Sequence, residues 1–168
     1  MDAKEAVLAA RKLLENTTPL KFDCGKTCGA ACCAPDEDGQ GGMVLFSGEE
    51  ALYDHLPEGM QLTIYDAILP GQRLLTCRGT CDRKSRPLSC MLFPLTPVIE
   101  EKDGHEALKI RMDPRAYAVC PLCEGGMRGM DARFIQAVRD TARILCKCPE
   151  HRAYFKALGA YFSRLREW

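Results

Sequence analysis

No stretch of this sequence approaches the roughly 20 consecutive apolar residues that a membrane-spanning helix needs. The amino terminus, Met1-Asp2-Ala3-Lys4-Glu5, carries charges where a secretory signal would be apolar. Both absences lead us to expect a soluble, cytoplasmic protein with no membrane contact. Net charge is missing too. The 23 Lys and Arg balance the 23 Asp and Glu, which leaves no long-range field to draw in nucleic acid. Cofactor and nucleophile signatures are equally scarce: there is no G-x-G-x-x-G, no Walker loop and no Ser/His/Asp arrangement suggested by spacing. The three histidines, His55, His105 and His151, lie in polar surroundings without ligand spacing to another His or Cys, so surface positions are expected for them.

What the chain has instead is cysteine, 11 of its 168 residues. A chain of this length fits one domain, residues 1–168, and can bury a real core, so it needs no covalent staples. In a reducing cytosol an odd number of cysteines reads as metal ligands and free thiols rather than a disulfide framework. The densest stretch is Cys24-Gly-Lys-Thr-Cys28-Gly-Ala-Ala-Cys32-Cys33, four thiols within ten residues on a backbone loosened by Gly25 and Gly29. A Cys32–Cys33 disulfide would close a strained ring, since neighbouring Cα atoms lie about 3.8 Å apart and bridged cysteines prefer about 5.5–6 Å. The same strain opposes both thiols holding one tetrahedral ion. Either the two serve different metal atoms or one of them alone binds, and a polynuclear cluster or two nearby sites follows.

Cys77-Arg-Gly-Thr-Cys81 and Cys90 form a second group, and Pro87 between them opposes a continuous helix, so these ligands are expected on turns. Cys120-Pro-Leu-Cys123 comes next. The candidate metal ligands are thus Cys24, Cys28, Cys32, Cys33, Cys77, Cys81, Cys90 and Cys120. Zinc and four-iron clusters each take about four thiolates, so eight suit two sites, while four would leave the rest idle. Cys123 closes an isolated C-x-x-C pair. Cys146 and Cys148, two apart at a helix end, point away from one another and read as ordinary thiols. Lys21, Lys26, Arg73, Arg78, Arg83, Lys84 and Arg86 lie near the clusters in sequence, and a thiolate-rich centre would favour such cations. An iron–sulfur cluster is favoured over zinc, because vicinal thiols and three-residue gaps suit metal atoms that each take one protein thiolate. The acidic turn at 34–42 starts like a calcium loop but meets Ser47 where a bidentate glutamate belongs.

Apolar residues at helical spacing predict a helix over 3–15, on Val7, Ala10, Leu13 and Leu14. Two closing helices are predicted in the same way. One spans 131–145, on Phe134, Ile135, Val138, Ala142 and Leu145, and the other 150–168, on Tyr154, Leu158, Tyr161, Leu165 and Trp168. Ser47-Gly-Glu-Glu50 has the form of a capping box that would open another helix. Strands are expected at 43–46, 60–69 and 72–76, with a hairpin of 95–100 and 107–112 about Glu101-Lys-Asp-Gly104. The expected architecture is α+β: a small single domain with cysteine-rich metal-binding loops over about 20–123, a short β-hairpin and a C-terminal helical hairpin over 131–168.

Cys24-x3-Cys28-x3-Cys32-Cys33, then Cys77, Cys81, Arg86-Pro87, Cys90 and Phe93-Pro94, resembles the bacterial and archaeal cysteine-cluster family called the CxxCxxCC or YkgJ type, described as zinc- or iron-chelating proteins. The resemblance covers about the first two-thirds of the chain, with three residues rather than two in each of the first two gaps. It implies metal or iron–sulfur binding by those cysteines. Flagellin lysine N-methylases are similar in bearing such a cluster. The leading expectation is a metal-binding protein, structural or redox accessory in role, with the metal or cluster and a protein as its partners. The alternative is an enzyme, transferring methyl groups to protein or running cluster-based redox chemistry. A radical S-adenosylmethionine enzyme is disfavoured: its C-x3-C-x2-C motif is missed by one residue, and the chain is shorter than the roughly 200 residues of the usual barrel.

Overall fold

The computed structural model describes residues 1–34, 41–77, 79 and 81–165. Helix α1 spans Ala3–Leu14 and opens on a reciprocal cap, in which Asp2 Oδ1 accepts from the Glu5 amide at 2.8 Å and Glu5 Oε2 accepts from the Asp2 amide at 3.2 Å. Its Ala6, Val7, Ala10 and Leu14 are buried, whereas Leu13, expected on that face, is 38% exposed. The buried residues pack on helix α4, Ala132–Leu145, whose Asp131 cap accepts from the Arg133 amide and whose Thr141 hydroxyl reaches the Ala10 carbonyl at 3.5 Å. Helix α5, Pro149–Leu165, begins on a proline, a residue that costs nothing in the first turn because its missing N–H would have had no partner there. It turns Tyr154, Phe155, Leu158 and Phe162 inward, while Leu165 is 46% exposed. The expected helical hairpin is therefore present as α4 and α5; Trp168 lies outside the described residues.

Strands β4, Leu95–Lys102, and β5, His105–Met112, make the expected antiparallel hairpin about Asp103 and Gly104, both with positive φ. Every residue from Leu95 to Ile99 is buried, so both faces of β4 are covered there. Helix α5 lies across it, and a Cβ on Gly159 would collide with the Ile99 carbonyl oxygen. That position sets how closely helix and hairpin approach.

A second, three-stranded antiparallel sheet contains β1, Gly41–Val44, β2, Met60–Tyr65, and β3, Gln72–Cys77, with β3 in the centre. Leu45, Tyr53, Met60 and Leu75 form a small core under it, against which Cys77 and Cys81 pack. In the register, Cys77 at the end of β3 faces Gly41 on one side and Met60 on the other. The α+β class is thus present in both helices and antiparallel sheets. The capping box expected at Ser47 does not open a helix; the chain makes one short 3-10 turn, Glu50–Leu52, with no side-chain cap. Residues 35–40 of the acidic turn lie outside the described residues. No helix among the described residues is long and apolar enough to cross a membrane.

Candidate metal centre

The first cysteine stretch folds as two tight turns. Helix α2, Gly25–Cys28, is a single turn in which Cys24 and Cys28 are four apart and share a face, with the Cys28 thiol 3.6 Å from the Cys24 carbonyl. Gly29 and Ala30 then take consecutive left-handed conformations, φ 63° and 56°, reversing the chain into the 3-10 turn Ala31–Cys33. For Ala30 that backbone costs about 1–2 kcal/mol, strain stored between candidate ligands.

Cys90 arrives on helix α3, Leu88–Leu92, rather than on the turn expected from Pro87; the proline stands just before the helix, where its ring does no harm. The buried Glu49 carboxylate fixes that helix, accepting from the Leu88 amide at 2.6 Å, the Phe46 amide at 3.2 Å and Arg11 Nη1 at 3.1 Å. Arg11 also donates to the Arg86 carbonyl at 2.7 Å and the Lys84 carbonyl at 2.9 Å, and the Tyr53 hydroxyl to the Ser85 carbonyl at 3.0 Å. The segment carrying Arg86 and Pro87 is thus held by three side chains, none of them a candidate ligand. Nothing in the sequence signals this clamp, because its partners lie far apart in the chain.

Around these turns lie two adjoining cavities. The larger, about 230 Å³, is bordered by Cys32, Cys33, Cys77, Cys81 and Cys90, by apolar walls that include Met43, Met60 and Leu75, and by Arg86 and Arg115. The smaller, about 30 Å³, is bordered by Cys24, Cys28, Cys32 and Cys120. Phe93 and Val119 border both. Every one of the eight predicted ligands therefore lines a cavity, while Cys123, Cys146 and Cys148 line neither. No known protein family, curated protein or solved structure matches the chain. All 11 cysteines are free thiols. Among the described residues no three His, Cys, Asp or Glu side chains are gathered closely enough to hold a metal ion as they stand.

The thiols nevertheless sense one another. Burial pushes Cys90 well above its ordinary pKa, and Cys33, Cys81 and Cys77 push it further. Its residue surface is only half-buried, so the desolvation reflects protein crowded round the sulfur. Burial likewise raises Cys24, aided by Cys28, and Cys77, aided by Cys81. Cys32 and Cys33 share a hydrogen bond: donating it raises Cys32, and accepting it lowers Cys33 to about 6, with Arg86 helping against burial. Burial and then Cys120 push Cys123 up to about 11. Thiolates brought together here repel one another, and a cation or cluster among them would relieve that repulsion.

Among the described basic residues expected near the site, Arg86 is the one that lines a thiol cavity; burial opposes its charge, yet its bond to Cys81 holds its pKa above the ordinary value. Arg83 instead donates to the Thr17 carbonyl at 2.9 Å, and Arg78 lies outside the described residues. Arg115, which no spacing argument singled out, borders the larger cavity and forks onto the buried Asp113 at 2.9 and 2.5 Å. Cys148 is wholly buried in the helical core, donating to Glu150 at 2.8 Å, and Cys146 packs against the same core. His55 and His105 are exposed as expected. His151 is not: the first turn of α5 carries it into the core, edge-on to Phe46 at 5.6 Å, with Nε2 donating to the Ser47 carbonyl at 2.9 Å.

Proposed function

We propose that the chain is a metal-binding protein that holds an iron–sulfur cluster or zinc through Cys24, Cys28, Cys32, Cys33, Cys77, Cys81, Cys90 and Cys120, in a structural or redox accessory role. The observation that carries this reading is that these eight thiols, drawn from separate segments of the chain, line two adjoining cavities, whereas the other three do not. The donor chemistry fits, since thiolates suit both zinc and iron–sulfur clusters. Binding would draw the sulfurs inward from where they lie, each losing its proton as it takes a metal. An iron–sulfur cluster would supply one-electron transfer, and zinc a structural cross-link. The chain's own contribution is to position the thiols and line their surroundings: Glu49 and Arg11 hold α3 and the Arg86 segment, Arg86 offsets negative charge at Cys81, and Met43, Met60 and Leu75 form apolar walls of the larger cavity. The resemblance of the cysteine spacing to the cysteine-cluster family supports the same reading.

Protein prepared without oxygen decides the matter by elemental analysis and visible absorption. A band near about 400 nm that bleaches with dithionite indicates iron–sulfur. A colourless protein with stoichiometric zinc assigns zinc, and less than about a tenth of an equivalent of either metal rejects the reading. Stripping the metal should lower the unfolding free energy measured in urea, by roughly 2.7 kcal/mol where free metal stood at a hundred times its dissociation constant.

A further inference from the structure

We propose that the eight thiols form two separate four-thiolate centres: Cys33, Cys77, Cys81 and Cys90 around the larger cavity, and Cys24, Cys28, Cys32 and Cys120 around the smaller. The adjacent Cys32 and Cys33 then serve different centres. This rests on the metal-binding reading above and adds the number of sites and the membership of each.

The cavities themselves make the division. Seven of the eight thiols border one cavity alone, and Cys32 borders both. Four thiolates complete a tetrahedral or four-iron site, and the larger cavity has four without Cys32, which is the fourth sulfur the smaller one needs. Two neighbouring residues, with Cα atoms about 3.8 Å apart, are also poorly placed to take two corners of one tetrahedron. Electrostatic proximity divides the thiols along the same line. Cys90 senses Cys33, Cys77 and Cys81, and Cys77 senses Cys81 and Cys33; Cys24 senses Cys28 and Cys120. Cys32 senses Cys33 first, through their shared hydrogen bond, and then Cys24 and Cys90, so it touches both groups as a residue at the boundary must. Phe93 and Val119, bordering both cavities, are the apolar material at the junction. In each centre four thiols would release four protons to solvent as four metal–sulfur bonds form, with no change in oxidation state for zinc or cobalt(II).

The test is an oxygen-free titration of the metal-free chain with cobalt(II) alone, following the thiolate-to-metal absorption. Saturation is expected at about two equivalents. Cys33→Ser, Cys77→Ser and their pair should each remove about half of the signal, and so should Cys28→Ser, Cys120→Ser and their pair. Cys32→Ser combined with Cys33→Ser should remove nearly all of it, although the two residues are adjacent. Saturation at one equivalent, or loss of the whole signal from Cys33→Ser and from Cys120→Ser alike, overturns the two-centre arrangement while leaving metal binding intact. Absence of any thiolate band overturns the two-centre arrangement, and only when joined by less than about a tenth of an equivalent of iron or zinc in oxygen-free protein does it overturn the metal reading as well. Should a variant fail to fold, as judged by its far-ultraviolet circular dichroism, the cadmium NMR spectrum of the unaltered chain answers the same question: two distinct thiolate-bound signals are expected, and a single signal overturns the proposal.

Discussion

The helical core and the cysteine turns use the same residue in opposite ways. Cys148 sits wholly buried in the cluster that holds Phe134, Phe155 and Leu158, where its sulfur is one more small apolar group with a local bond to Glu150. Cys24, Cys28, Cys33, Cys77, Cys81, Cys90 and Cys120 are all only partly buried, Cys32 is exposed, and the turns that carry Cys24 to Cys33 bury no residue at all. One region is stabilised by burying apolar surface; the other has little to bury and has thiols to share. The difference teaches that the role of a cysteine here is set by what the surrounding backbone can pack, not by how close the next cysteine lies in sequence.

That contrast can be broken in several places. The largest effect is expected from Phe155→Ala, which empties a fully buried position beside Phe46 and should cost about 3–5 kcal/mol in urea unfolding, equally in metal-loaded and metal-free protein. A loss confined to the loaded form would mean that core and centre are one unit. Glu49→Ala strikes the contact between the regions, leaving Arg11 and the Leu88 and Phe46 amides without their shared acceptor. It should cost about 3 kcal/mol and, by freeing α3 with Cys90, also lower metal content; full metal content would show that the clamp does not position the ligand.

A smaller effect tests the core by pH. Burial holds the folded-state pKa of His151 below 6.5, against the opposing pull of its backbone partners and of Glu150 and Glu50. The unfolded chain therefore takes up a proton that the folded chain resists. Stability present above pH 6.5 should fall as pH drops toward the folded-state value. Comparing unfolding midpoints between about pH 7.5 and about pH 5.5 for the native chain and His151→Asn isolates this contribution, and equal slopes would remove it. Ala30→Gly relieves the left-handed strain between Cys28 and Cys32 and should raise stability by up to about 1 kcal/mol; a decrease would show that the methyl group itself packs. The smallest change is expected from Cys146→Ser with Cys148→Ser, which should leave metal content as it was. If that pair removes metal as fully as Cys28→Ser, the two-region description fails.

Local sequence determined the elements and the candidates. The spacing of Val7, Ala10 and Leu14 called for α1, that of Phe134, Val138, Ala142 and Leu145 for α4, and Asp103-Gly104 for the hairpin, because each depends on residues only a few positions apart. The eight thiols that line the two cavities are the ones singled out by cysteine density, glycine and proline. Where a side chain faces across the fold was not. His151 in polar sequence lies in the core, Glu49 in a cap-like motif is buried against α3, Leu13 and Leu165 on apolar stripes face solvent, and Arg115 borders the larger cavity. The division of the thiols between two cavities belongs to this second kind. Periodicity and capping act within a turn or two of chain, but which cysteine meets which depends on bringing distant segments together. That arrangement is set by the packing of α1, α4, α5 and the two sheets, none of which contains a motif for it.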